Sequence, residues 1–117
     1  FVSDRINICY SETGLGTPIV LVHGFSASHE MWSAFPELKD FRLIKIDCRG
    51  HGTSDKPKKA SEYGVKMVED VRRLLDHLEI SQAHLVGYSM GAEISIRFAT
   101  LYPGSVLSLT VGGSGWS

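Results

Sequence analysis

The stretch His84-Leu85-Val86-Gly87-Tyr88-Ser89-Met90-Gly91-Ala92-Glu93 sets an apolar run against a serine flanked by two glycines and then turns helical. Its first half, "AHLVGY", is a short β-branched and aromatic run of the kind buried in a parallel sheet. The "MGAEISIRFATLY" that follows has helical composition and stops before Pro103. Gly87-Tyr88-Ser89-Met90-Gly91 therefore fits G-x-S-x-G at a junction between a strand and a helix, the context that gives the pattern meaning. A serine at so tight a turn is expected in a strained backbone conformation that holds its hydroxyl out over the sheet edge. Gly87 and Gly91 then follow from crowding, since side chains there would strike the neighbouring strand and helix. The helix start at Met90 offers free backbone N–H groups and a positive dipole end to the same point. A blander reading also fits these residues: Ser89 caps the helix and the glycines make a turn.

Outward from this junction, strands and helices alternate. "INICYSET" (6–13) alternates like a half-buried strand, "PIVLVHG" (18–24) reads as a buried strand, and "RLIKID" (42–47) as the next. "HEMWSAFPEL" predicts a short helix interrupted near Pro36, and "CRGHGTSDKP" a loop. Residues 62–78 place Val65, Val68, Val71, Leu75 and Leu78 on one helical face, and "VLSLTVGG" supplies a last strand. The pattern predicts an α/β fold with a doubly wound, mostly parallel sheet and its chemistry at the carboxyl ends of the strands. "VLVHGF" ends the second of these strands in a turn at Gly24. The Phe25 N–H can then point toward Ser89 and form an oxyanion hole with the Met90 N–H, where one such donor is typically worth roughly 3 to 4 kcal/mol.

Composition bounds the function. The 117 residues suffice for one domain, and 43% hydrophobic with 21% charged residues is ordinary for a globular chain. A net charge of −1 with scattered Lys and Arg offers no footprint for nucleic acid or an anionic membrane. No apolar run reaches the roughly 18 residues of a spanning helix. Cys9 and Cys48 suit neither a disulfide framework nor a C-x-x-C site, which favours a reducing, cytoplasmic setting. His23, His29, His51 and Asp47 have no recognised metal-ligand spacing and no P-loop pattern occurs, so no metal or cofactor is expected.

The HGF turn, the D-x-R-G-x-G-x-S-x-x-P loop of residues 47–57 and the G-Y-S-M-G elbow occur in an order and spacing that resemble the α/β-hydrolase family, over nearly the whole chain. The resemblance implies a serine hydrolase acting on a small-molecule carboxylic ester or similar acyl compound. Ser89 would be its nucleophile, the Phe25 and Met90 amides its oxyanion hole, and Gly24, Gly87 and Gly91 its turn glycines. Epoxide hydrolases and haloalkane dehalogenases of the family carry Asp at the nucleophile position, which argues against those chemistries here.

In the family the triad runs Ser, then acid, then His. The 28 residues after Ser89 hold one acid, Glu93, and no histidine. Among the five earlier histidines, His29 is the one expected near a pocket mouth and able to stand in as base. Residues 1–117 are thus expected to be the amino-terminal portion of a hydrolase domain, with the cap and carboxyl-terminal half absent. The strand ending near Gly112 would then be an apolar edge open to the missing half or to self-association. A non-catalytic, self-associating module binding a small apolar ligand is the competing expectation. Trp116 either lines a pocket or covers the core.

Overall fold

The computed structural model describes residues 1–113. Five strands form one sheet in the order β3 (Tyr10–Thr13), β5 (Phe41–Ile46), β4 (Thr17–Val22), β6 (Ala83–Tyr88), β7 (Val106–Gly112). All neighbours are parallel except β3 and β5, which pair antiparallel, so the sheet is mixed and mostly parallel. A separate two-stranded ribbon joins β1 (Val2–Ser3) to β2 (Ile6–Asn7).

The central strands are apolar on both faces because both are covered. Val20, Val22, Ile44, Ile46, Ala83 and Leu85 pack against helices α1 (Val65–His77) and α2 (Met90–Leu101), in a core that includes Val68, Val71, Leu74, Leu75, Ile94 and Phe98. On the opposite face Ile19, Leu21 and Leu43 meet Trp32, with Phe35, Phe41 and Val86 at the margin.

Three sequence expectations need correction. Residues 6–13 do not form one strand: the run breaks at Ile8 and Cys9, where the Asn7 amide donates to Asp55 Oδ2 and the Cys9 amide to Ser54 Oγ. These side chains of the 47–57 loop replace ladder bonds that a continuous strand would make. The helix expected in "HEMWSAFPEL" shortens to a 3-10 turn, His29–Trp32. The long helix begins at Val65 and not at Glu62, because Gly64 stands at φ 72° and separates it from a 3-10 turn at Ala60–Glu62. The strand pairings leave Ser89 at the carboxyl end of β6, beside the ends of β4 and β7. The expectation for Trp116 lies outside the described residues.

Among the described residues β7 pairs only with β6, and Leu107, Leu109 and Val111 are 43%, 37% and 40% exposed. An unpaired apolar edge is a template for another strand. The 117-residue chain studied alone is expected to elute as oligomers in size exclusion with light scattering, and Leu109→Lys to shift it toward monomer. A monomer at every concentration for the unaltered chain would mean that the edge is covered.

Candidate active site

Ser89 is the residue between β6 and α2, with no spare residue on either side. It stands at φ 56°, ψ −114°, in the left-handed region that a side chain normally avoids. Its amide donates to Gly112 O at 2.9 Å, and its carbonyl accepts from the Ala92 and Glu93 amides. The residue occupies the N-cap position of α2, yet its side chain makes no capping bond. The hydroxyl therefore does not do the work that makes serine common at helix starts.

The glycines around it are required by close approach. A Cβ at Gly91 would meet the Val22 carbonyl and the His23 oxygen, both backbone atoms, and a Cβ at Gly87 would meet the Gly91 carbonyl. The first turn of α2 thus lies directly on the end of β4. Gly24 stands on the other side, where an added Cβ would lie 3.4 Å from Ser89 Cβ. Phe25 follows, 75% exposed. Among the described residues neither the Phe25 nor the Met90 amide donates to another protein group.

The ends of β4 and β5 carry a network of polar groups that the sequence reading did not assemble. His23 is fully buried: its Nε2 accepts from the Cys48 amide at 2.9 Å, which leaves the proton on Nδ1 to be donated to Gly24 O at 2.8 Å. Burial pushes this imidazole below its ordinary 6.5, partly opposed by the Gly24 carbonyl. Asp47, also fully buried, accepts four hydrogen bonds. Oδ1 takes the His29 amide at 2.6 Å and His29 Nδ1–H at 2.7 Å. Oδ2 takes the Thr53 amide at 3.0 Å and the Thr53 hydroxyl at 2.7 Å. Burial alone would raise this carboxyl, but the four donors overcome it and hold it at about 2.

The four residues considered as metal ligands do come together, with the His23 and His51 rings 5.1 Å apart. His23 and Asp47 have all their polar atoms engaged, and Nδ1 of His29 and of His51 is bonded as well, the latter donating to Arg49 O. Among the described residues no group of three or more His, Cys, Asp or Glu is arranged to hold a metal. His29 is tied to Asp47 at the end of β5, and β4 lies between β5 and the strand that leads to Ser89. Ser89 Oγ has no hydrogen-bond partner among the described residues, and the expectation of His29 as stand-in base gains no support from this geometry.

The sequence reading also passed over Arg49, whose side chain is fully buried. Its Nε and Nη2 donate to the two oxygens of Asp70 at 2.7 and 2.8 Å, and Nη1 donates to Glu62 O. The bidentate bond to Asp70 raises the guanidinium further above its ordinary value. A signal was available: Asp70 sits three and four residues from Met67 and Leu74, inside the apolar stripe of α1. A carboxylate there needs a buried cation.

Comparison with known proteins places this geometry among relatives. A model of the alpha/beta hydrolase fold matches residues 17–116. The chain is 33% identical over 118 residues to a 2-hydroxy-6-oxononadienedioate/2-hydroxy-6-oxononatrienedioate hydrolase of Paraburkholderia phymatum, covering 95% of this chain and 41% of that one. A thermophilic esterase from Thermogutta terrifontis superposes with TM-score 0.84 at 34% identity, over 91% of this chain and 40% of that one. An epoxide hydrolase from Bacillus megaterium superposes with TM-score 0.86 at 30% identity, over 96% and 41%. The chain spans about two fifths of the length of such curated relatives. No described helix is long and apolar enough to cross a membrane.

Two outcomes follow from the site's construction. An imidazole held below its unfolded value binds fewer protons folded than unfolded, so its contribution to stability is full above about pH 6.5 and is lost as pH falls toward the lowered value. Asp47 acts in the same direction lower down, with roughly 2 kcal/mol present above 3.8 and lost as pH falls toward 2. Urea midpoints measured from pH 7 to 5 should therefore decline, and a flat profile would remove His23 from this account. Gly91→Ala meets backbone that cannot step aside, and denaturation should register a loss of about 1 to 3 kcal/mol or more.

Proposed function

The chain belongs to the alpha/beta hydrolase fold family, and from that premise we propose that it is the amino-terminal, nucleophile-bearing part of a serine hydrolase acting on a small carboxylic ester or similar acyl compound. One observation carries the reading: Ser89 is held at φ 56° on the strand-to-helix turn with its hydroxyl released from capping. Strain of this kind costs of order 1 to 3 kcal/mol and persists only where the surroundings over-determine it, which is common at catalytic positions.

In the proposed reaction Ser89 Oγ attacks the substrate carbonyl carbon as its proton passes to a general base. The negative charge that develops on the carbonyl oxygen is met by the Phe25 and Met90 amides, the latter at the positive end of α2. Collapse breaks the bond to the leaving oxygen as the base returns its proton there, which releases the alcohol and leaves an acyl-serine, and water activated by the same base then hydrolyses it to the acid and free serine. No histidine follows Ser89 in this sequence, so the base and its acid partner are assigned to polypeptide outside residues 1–117. The named relatives span an esterase, an epoxide hydrolase and a hydrolase of a dienedioate. A serine at position 89 favours the acyl chemistry, because a carboxylate nucleophile suits epoxide opening and a hydroxyl does not.

A fluorophosphonate probe applied to the full-length protein should label Ser89, located by peptide mass spectrometry. Ser89→Ala should abolish labelling and lower kcat/KM on p-nitrophenyl acetate by about 10⁴-fold or more. Turnover that survives Ser89→Ala, or a probe that labels elsewhere, would overturn Ser89 as the nucleophile, and neither labelling nor turnover in the unaltered protein would leave the chain as a binding module on a hydrolase scaffold.

A further inference from the structure

We infer that Asp47 is a positioning residue: through His29 and Thr53 it clamps the loop that carries the Phe25 amide, and so sets the geometry of the oxyanion hole. The inference rests on the reading of Ser89 as nucleophile and goes beyond it, since Asp47 touches neither the serine nor any group assigned to substrate.

The loop from His23 to His29 is anchored at both ends to the terminus of β5. At its start, His23 ties Gly24 O to the Cys48 amide through the two nitrogens of one ring. At its end, the His29 amide and Nδ1–H both donate to Asp47 Oδ1. Between the anchors the Ala27 amide donates to Gly24 O, and Ser26 sits at φ 63°, a conformation that a non-glycine residue keeps only when held there. Phe25 lies inside this arch. Its ring meets the edge of His51 at 5.7 Å, and His51 belongs to the adjacent loop. Thr53 of that loop gives its amide and hydroxyl to Asp47 Oδ2. One buried carboxylate thus accepts from both loops, with every lone pair used and the carboxyl held ionised.

The chemistry explains why an ionised acid suits the position. Four donors converge on two oxygens, and only a carboxylate accepts at both. An asparagine keeps one accepting oxygen and turns an NH₂ group toward donors on the other side, which releases one of the two loops.

The test compares Asp47→Asn, His29→Ala and Ser89→Ala in the full-length protein, with p-nitrophenyl acetate as substrate and a phenyl trifluoromethyl ketone as mimic of the tetrahedral oxyanion. Active sites of the Asp47 and His29 variants are counted by fluorophosphonate titration, so that unfolded protein is excluded from kcat, and the folded fraction of Ser89→Ala is taken from circular dichroism. Losing one oxyanion donor outright costs about 10² to 10³ in kcat, and a displaced donor keeps part of that, so Asp47→Asn is expected to lower kcat about 10- to 100-fold. KM should stay within about threefold, and Ki for the ketone should rise by the factor by which kcat falls, the mark of an interaction made in the transition state. His29→Ala deletes one of the four donors and leaves the His29 amide in place. It should give a smaller loss of the same kind, which keeps the test open if Asp47→Asn does not fold. Unchanged kcat and Ki per active site in both variants would overturn the clamp, as would a loss of kcat without a matching rise in Ki. Turnover retained in Ser89→Ala would instead overturn the nucleophile reading, and with it any catalytic role for the clamp.

Discussion

The first turn of α2 lies against the carbonyl end of β4 with no room for a side chain between them, and the rest of the site depends on that contact. Gly91 makes the approach possible, because any Cβ there would strike the Val22 and His23 backbone. With the helix pressed so close, the chain has one residue in which to leave β6 and enter α2. A single residue can make that change of direction only by leaving the ordinary regions of backbone space, so Ser89 takes φ 56°. The strain is borne by neighbours on both sides. The Ser89 amide is fixed to Gly112 of β7, its carbonyl is held by α2, and β6 is itself gripped between β4 and β7. The contact does three things at once: it presents the hydroxyl, frees the Met90 amide, and brings Gly24 alongside Ser89.

Hydrophobic burial builds the sheet and its helical cover, but it cannot shape the loops above the sheet, which carry few apolar side chains. Buried polar groups shape them instead. His23, Asp47 and Arg49 are each fully buried, every side-chain nitrogen and oxygen in them has a partner, and they join successive parts of the chain: β4 to β5, the 23–29 loop to the 47–57 loop, and the latter to α1. Such bonds add little net stability when complete, yet breaking a buried charged pair by removing one partner costs about 3 to 5 kcal/mol. The asymmetry confers geometric definition, because any rearrangement that leaves one member unpaired is heavily disfavoured.

This division explains what could be read from the sequence. The strands, the two helices and the G-x-S-x-G junction were legible because apolar period and glycine placement are local signals. Gly87 and Gly91 point to crowding from the sequence alone. The grip on residues 23–55 was not legible, because Asp47 meets His29 only after β4 and β5 have paired, and a separation of 18 residues leaves no periodic trace. The same cause broke the expected strand at 6–13. Its amides turn to Asp55 and Ser54, more than 40 residues away, and alternation within the segment cannot report such partners. Asp70 stands between these cases. Its place in the apolar stripe of α1 announced a buried partner, and only the fold identified that partner as Arg49.

The same backbone frame serves relatives with different chemistry, so the frame alone does not choose the reaction. A strained turn with free amides at a helix start will stabilise an oxyanion whichever nucleophile stands on it. A carboxylate there is ionised at neutral pH and attacks unaided. A serine hydroxyl is a weak nucleophile until a base takes its proton. On the proposed reading Ser89 makes attack conditional on a base in a way that an aspartate would not. In these residues every histidine near the strand ends, His23, His29 and His51, has a ring nitrogen already committed to a carboxylate or a carbonyl. His23, with both ring nitrogens bonded, is thereby withdrawn from proton transfer, whereas His29 and His51 are bonded among the described residues through Nδ1 alone. In the proposed reaction the fixed donors come from the loops after β4 and β6, and the acceptor for the serine proton has to come from another group, on a surface where Phe25 and Tyr88 are exposed.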